Sequence, residues 1–517
     1  VNNENRGTHE AIYLPQVVED YKENPFIEAL PPILSLAESV DALTMAPGYN
    51  EAERELDAHY RFHCVQRLFR YFQPLDTHLD IEQRISRAIR QGYVSRNPLG
   101  SQYVRRIRQC SDATEAQSLE MADFRSVKST ASGFTIIGMS GVGKTTAVER
   151  VLSLYPQCIT HIQYGEFPFY LKQIAWLKLD CPFDGSIKGL CMSFFAETDR
   201  ILDSTYSKRF LPSTTTVDAM IPRMAHIAST HGIGLLVIDE IQHLSMAKSG
   251  GSEKMLNFFV TLVNTIGIPV LLIGTTKAMS ILQSEFRQAR RGSGQGDLLW
   301  DRMQNDMSWR IMLQSMWKYQ WTQECCPLTQ ELEKTLYNES QGIIDIAVKL
   351  YALAQIKAIA DGTETVTPSS IRDVATEKLR LVKPMLDALR SGDKKKLLQY
   401  EDIRPIGVED YIAAQSAKLG AYTQKVSTLE EQAVLKLLEM EVSSKTARDC
   451  VKKVISKSGG SQPLSNVVRK AFKMALHMET QSSDTEQESA AVEGDLRSTG
   501  GYDELKEAGA IAADDEW

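Results

Sequence analysis

The chain has 517 residues, of which 43% are hydrophobic and 24% charged, the profile of a globular protein long enough for two to four domains. No apolar run reaches the ~20 residues needed to span a bilayer, and the N-terminal VNNENRGTHEAIYLP has no signal-peptide apolar core, so a cytoplasmic chain is expected. The formal net charge of −8 is misleading as a guide to partners. Residues 479–517 hold 12 acidic and 2 basic side chains, and the other 478 residues balance 56 basic against 54 acidic, a net of +2. The body is near neutral and the acidity sits in one terminal segment, so the overall sign does not exclude nucleic acid. The eight cysteines form no C-x-x-C pair and have no histidine at metal spacing, which reads as reduced, partly buried thiols.

Residues 1–115 read as helical, interrupted at PFIEALPP and FQPLDTH. The stretch DTHLDIEQRISRAIRQGY spaces Leu79, Ile81, Ile85 and Ile89 on one helical face, leaving most of its arginines on an opposite, solvated one. From Phe134 the pattern changes. The apolar runs FTIIG, AWLKLDC, GLLVIDE, IPVLLIGT and KYQWTQ alternate with amphipathic stretches such as TAVERVLSLY, SIKGLCMSFFAETDRIL, VDAMIPRMAHIAS and EKMLNFFVTLVNTIG. That alternation predicts an α/β core over residues 116–325, a parallel sheet covered by helices on both faces. Residues 326–392 read as a helical lid, with LTQELEKTLYNE and DIAVKLYALAQIKAIADG its clearest helices. Residues 393–478 read as a helical region, basic near its end (Lys445, Arg448, Lys452, Lys453, Lys457, Arg469, Lys470, Lys473), and 479–517 as a disordered acidic tail.

GMSGVGKT, residues 138–145, fits G-x-x-x-x-G-K-[ST] between a strand and a helix. By chance the pattern occurs in about 2% of chains this long, and its strand-to-helix setting lowers that further. Gly138, Met139, Ser140, Gly141, Val142, Gly143, Lys144, Thr145 and Thr146 are the expected ATP-binding residues, their N–H groups and the helix N-terminus facing phosphate. Lys144 is expected at the β- and γ-phosphates. Mg²⁺ is expected on Thr145 and, through water, on Asp239, which ends the apolar run LLVID. Glu240, one residue on, suits a water attacking the γ-phosphorus; a kinase for a small substrate would not need it. Gln242 and His243 read as a polar network that orients Glu240 or reads a partner. Thr275 ends the next apolar run and reads as a γ-phosphate sensor, or with Thr276 as a helix cap. Arg287, Arg290 and Arg291 lead into a glycine-rich loop; Arg290 and Arg291 are the candidates for an arginine acting on a neighbouring subunit, an effect worth ~10³–10⁵ in rate, with a solvated basic patch as the alternative. This motif order, followed by a helical lid, is that of AAA+ P-loop NTPases. The expected lid arginine is missing from SQGIIDIAVKLY, where Asp345 and Lys349 stand, and Arg380 is a substitute candidate.

LLVIDEIQHLSMAKSGGSEKMLNFFVTLVNTIGIPVLLIGTTKA, ARRGSGQGDLLWDRM and SQGIIDIAVKLYALAQIKA, with NPFIEALPP, FQPLDTHL, IRQGYVSRNP, LKLDCPFDGSIKGLCMSFF and PMLDALRSG, resemble the TnsC transposition regulators of Tn-seven-type elements over roughly residues 20–392. The resemblance implies an ATPase that forms a ring (hexamer or heptamer) on double-stranded DNA. It also implies a nucleoid-associated location and a link between a TnsD/TniQ-type target selector and the TnsA/TnsB transposase. It places sequence-independent DNA contacts near DGSIKG, on Ser186 and Lys188, with Lys208 and Arg209 of YSKRF next. Two other readings stand beside it: a helicase-loader or origin-type AAA+ ATPase, and a nucleotide-locked scaffold with little turnover.

Overall fold

The computed structural model describes residues 8–116, 130–210, 215–246, 267–281, 296–380, 382–392, 411–416 and, in a C-terminal unit, most of 433–475. In chain order the elements are β1 (Thr8–Glu10), α1 (Pro25–Glu28), α2 (Leu36–Leu43), α3 (Ala58–Val65), α4 (Asp76–Val94), α5 (Ser101–Ala116), β2 (Phe134–Gly138), α6 (Lys144–Leu152), β3 (Cys158–Tyr164), β4 (Phe167–Ile174), β5 (Trp176–Asp180) and α7 (Ile187–Leu202). They continue with α8 (Tyr206–Phe210), α9 (Val217–Thr230), β6 (Leu235–Asp239), β7 (Val270–Gly274), α10 (Ala278–Ile281), β8 (Asp297–Trp300), α11 (Met307–Trp317), α12 (Gln330–Ser340), α13 (Ile344–Ala360), α14 (Pro368–Lys378), α15 (Lys383–Ser391) and α16 (Ser444–Ser458). Residues 253–266 of the stretch EKMLNFFVTLVNTIG and the arginines 287, 290 and 291 lie outside the described residues, as does the acidic tail.

Five parallel strands form the main sheet in the order β5-β6-β7-β2-β8. Every residue of β2, β6 and β7 is buried, as near-continuous apolar runs require when helices cover both faces. One face is covered by α7 and α9, through Leu190, Phe194, Met220 and Met224. On the other, Phe26, Ile81, Ile85 and Ile89 pack with Val148 and Val151 of α6. The N-terminal helices therefore supply one layer of the α/β core, because α4 buries its isoleucine face against the sheet.

Four expectations about the strands hold and one does not. KYQWTQ is not a strand. Trp321 is fully buried, but its backbone N–H donates to Gln355 Oε1 (2.8 Å) and its ring N–H to Glu53 (2.9 Å), so side chains replace a strand ladder. The fifth strand is β8, DLLW, whose alternating exposure suits an edge. A second sheet, β1-β3-β4, was not evident in the sequence pattern: β3 and β4 form an antiparallel hairpin and β1 pairs parallel to β3. Nor are all the α4 arginines solvated. Arg90 is 1% exposed, its guanidinium donating to Ser86 Oγ (2.7 Å) and to the Pro31 carbonyl.

Helices α11 to α15 form the helical layer after the sheet, and the N-terminal segment straps it. Arg61, with 3% of its side chain exposed, makes a bidentate pair with Glu364 (2.6 and 2.7 Å) and donates to the Trp321 carbonyl (3.1 Å). Arg54 and Tyr49 donate to the carbonyls of Thr322 and Gln320. In the C-terminal unit, Ala447, Cys450 and Val451 of α16 bury against Val467, Val468 and Ala471, leaving Arg448, Lys452, Lys453, Arg469, Lys470 and Lys473 exposed. All eight cysteines are free thiols.

Removing one partner of a nearly buried bidentate pair strands the other charge. Burial works against ionised Glu364, but hydrogen bonds from Arg61 and Gln323 outweigh it and its pKa is lowered, so this stabilisation is present near neutrality and lost in acid. Arg61→Ala is expected to cost about 3 kcal/mol at pH 7 and less at pH 4, checked by urea denaturation at both pH values.

Candidate functional site

The C-terminal ends of the parallel strands carry the polar residues. Backbone geometry fixes the first loop: Gly143 has φ +101°, and a Cβ on Gly138 would come within 2.1 Å of the Trp300 carbonyl oxygen on β8. Helix α6 then starts at Lys144, with its free N–H groups facing the loop. The Lys144 ammonium curls back to donate to the carbonyls of Gly138 (2.9 Å) and Met139 (2.7 Å). Burial pulls its pKa down to about 8 although Asp239 and Glu240 oppose the shift.

The strand order assembles the rest. Because β7 lies between β6 and β2, Thr275 emerges between the phosphate loop and the acidic pair. Thr145 Oγ1 donates to Asp239 Oδ2 at 2.7 Å. The Glu240 N–H donates to Asp239 Oδ1 at 2.8 Å, and Glu240 takes φ +58°, a left-handed conformation that costs a glutamate about 1 kcal/mol or more. Gln242 Nε2 donates to Glu240 Oε2, and Gln242 Oε1 accepts from the Thr275 N–H at 3.0 Å. Thr275 Oγ1 is buried with no hydrogen-bond partner among the described residues. A cleft of about 170 Å³ is lined by these groups, by Ser140, Gly141 and Thr146, and by Asp345 at the start of α13.

The donor set fits the expected ligands. A hydroxyl and a carboxylate side by side are hard oxygen donors, and Mg²⁺ takes few protein ligands, completing its shell with phosphate and water. Among the described residues no cluster of three or more His, Cys, Asp or Glu could hold a metal alone. Loop N–H groups, Lys144 and the orphaned Thr275 hydroxyl are what a polyphosphate would use.

Some residues were missed in the sequence. Lys178 on β5 pairs with Glu149 (2.6 Å) and lies 3.6 Å from Asp239 Oδ2; a lysine inside the otherwise apolar run AWLKL was the available signal. From the lid, Asp345 reaches the cleft while paired to Lys349 at 2.7 Å; Arg380 is exposed, bonded to the Thr376 carbonyl, and does not line it. His243 bonds the Cys181 carbonyl (3.1 Å) and stacks edgewise on Phe183. Ser186 caps α7 by accepting from the Gly189 N–H (3.1 Å). Lys188, Lys208 and Arg209 are exposed, Arg209 lying over the Phe210 ring.

Residues 127–282 match the model of the AAA domain. The chain has the AAA+ P-loop NTPase fold. No curated protein matches it. Solved structures that it resembles include the ORC1 protein of Aeropyrum pernix in complex with DNA, at 13% identity and TM-score 0.34 over 64% of this chain and 88% of that one. Another is Cdc6p from Pyrobaculum aerophilum, at 12% identity and TM-score 0.35 over 62% and 84%. A third is a Walker-type ATPase of Pyrococcus abyssi, at 14% identity and TM-score 0.31 over 60% and 88%. No residue role is carried over from them. Among the described residues no helix is long and apolar enough to cross a membrane.

The AAA+ fold implies nucleotide binding, and a lysine held in the phosphate loop with its pKa at about 8 is expected to make it pH-dependent. Phosphate favours the ammonium, whereas the free site releases its proton near pH 8, so binding above that pH must take up a proton. ATP affinity is expected to be flat below about pH 8 and to weaken by up to about tenfold per unit above it, with calorimetry in buffers of different ionisation heat showing proton uptake. Lys144→Gln should abolish that uptake.

Proposed function

We propose that this chain hydrolyses ATP with Mg²⁺ and uses the nucleotide state to control its own assembly on double-stranded DNA. The observation that carries hydrolysis is the connected polar set at the C-terminal ends of the central strands: Thr145 to Asp239, and Glu240 through Gln242 to Thr275. Backbone N–H groups and Lys144 hold the triphosphate, and Mg²⁺ on Thr145 and Asp239 would offset its charge. Glu240 orients and deprotonates the attacking water, and the Thr275 hydroxyl meets the γ-phosphate. Arg290 or Arg291 of a neighbouring copy would complete the site.

The narrower reading is a TnsC-type regulator of transposition, a DNA-bound ring linking a TnsD/TniQ-type selector to a TnsA/TnsB-type transposase. Its support is the extended sequence resemblance over residues 20–392, which runs well beyond the ATPase motifs. Ser186, Lys188, Lys208 and Arg209 are the proposed DNA contacts. A ring concentrates each copy's few cations in one channel, so a near-neutral body is compatible with phosphate binding and with a steep loss of affinity in salt.

The deciding comparison is wild type against Glu240→Gln, with ATP and Mg²⁺ on duplex DNA, followed by electron microscopy and phosphate release. The variant should turn over ATP at least ~10²-fold more slowly and stay on DNA as oligomers that wild type disassembles. Equal persistence would indicate a scaffold, and absence of DNA binding would overturn the DNA reading. Binding without any stimulation of a cognate transposase would leave an origin-type ATPase as the better description.

A further inference from the structure

We infer that Gln242 is a positioning residue that holds the water-directing carboxylate of Glu240 at a set distance from the γ-phosphate sensor Thr275. Three observations support it independently of one another. The Gln242 side chain is 7% exposed and spans two elements: its amide N–H₂ donates to Glu240 Oε2 after β6, and its carbonyl accepts from the Thr275 N–H after β7 at 3.0 Å. Glu240 sits at φ +58°, a conformation a glutamate keeps only when its surroundings hold it. The Thr275 hydroxyl is buried, has no partner among the described residues and lines the cleft together with Glu240 and Gln242.

The chemistry allows one orientation of the amide. A backbone N–H must meet an acceptor and a carboxylate must meet a donor, and a primary amide, with an acceptor oxygen beside a donor nitrogen, serves both ends. With one Glu240 oxygen occupied by Gln242, the other is left for water. Gly274 belongs to the same fit, since a Cβ there would come within 2.5 Å of Ile241 and 3.2 Å of Gln242 Oε1. Gln242 thus ties the loop after the acidic pair to the end of the sensor strand, and a shift of Thr275 toward a γ-phosphate is transmitted to Glu240 through one side chain.

This inference rests on the hydrolytic reading of the site, and two variants of the full chain test it with DNA, ATP and Mg²⁺. Gln242→Leu removes both hydrogen bonds. Gln242→Glu keeps the acceptor for Thr275 but sets a carboxylate against Glu240. Both are expected to lower kcat about 10²-fold while KM and the affinity for a non-hydrolysable ATP analogue change less than about threefold. Hydrogen exchange of the Thr275 amide without nucleotide should speed up in Gln242→Leu and stay slow in Gln242→Glu. Wild-type kcat in both variants, or equal losses of kcat and analogue affinity, would overturn the positioning role. A wild-type chain with no turnover would instead overturn the hydrolytic reading, and the exchange pattern would still decide whether Gln242 holds Thr275.

Discussion

The hydrogen bond from Thr145 to Asp239 joins two strands that are not neighbours. Thr145 follows β2 and Asp239 ends β6, with β7 between them. For the two oxygens to lie 2.7 Å apart, all three strands must end at the same level, and parallel register delivers that. The rest of the site depends on this alignment: with the two flanking strands level, the end of β7 has only one place for Thr275. Gln242 then has a fixed gap to bridge.

Level strand ends need a rigid sheet, which accounts for the burial on both of its faces. The helices of the N-terminal segment complete that burial on the α6 side, and residues 49–61 continue onto the helical layer through Tyr49, Arg54 and Arg61. The N-terminal segment therefore touches both the sheet that carries Asp239 and Glu240 and the layer that carries Asp345. A like-charged carboxylate at the mouth of a phosphate cleft is partly offset by Lys349, so the lid contributes no bare cation at this point. In the proposed reaction, positive charge at the phosphates is left to Lys144, to backbone dipoles and to residues from a neighbouring copy.

Lys144 illustrates the electrostatic compromise. Its burial lowers the cost of the neutral amine, and two loop carbonyls hold the ammonium in the meantime. A site poised this way responds to the arrival of an anion with a change in proton occupancy as well as a change in contacts. Glu240 holds strain of a different kind, in its backbone. Both groups line the same cleft, next to the scissile bond in the proposed reaction.

Local patterns in the sequence were sufficient for the phosphate loop, for four of the five main strands and for the acidic pair, because each depends on short-range rules: glycine conformations, a run of apolar residues, a strand-to-helix junction. The outer edge strand and the β1-β3-β4 sheet escaped notice, since DLLW is short and the hairpin is half polar, and KYQWTQ misled because its apolar residues are buried without a ladder. The amino-acid sequence by itself determined which residues carry charge, hydroxyls and glycine freedom at this site. Tertiary structure alone decided that Gln242 faces both Glu240 and Thr275, that Lys178 approaches Asp239 and that Asp345 lines the cleft. Those relations span 33 residues or more in several cases, as from Gln242 to Thr275, and follow from strand order, which no local pattern encodes.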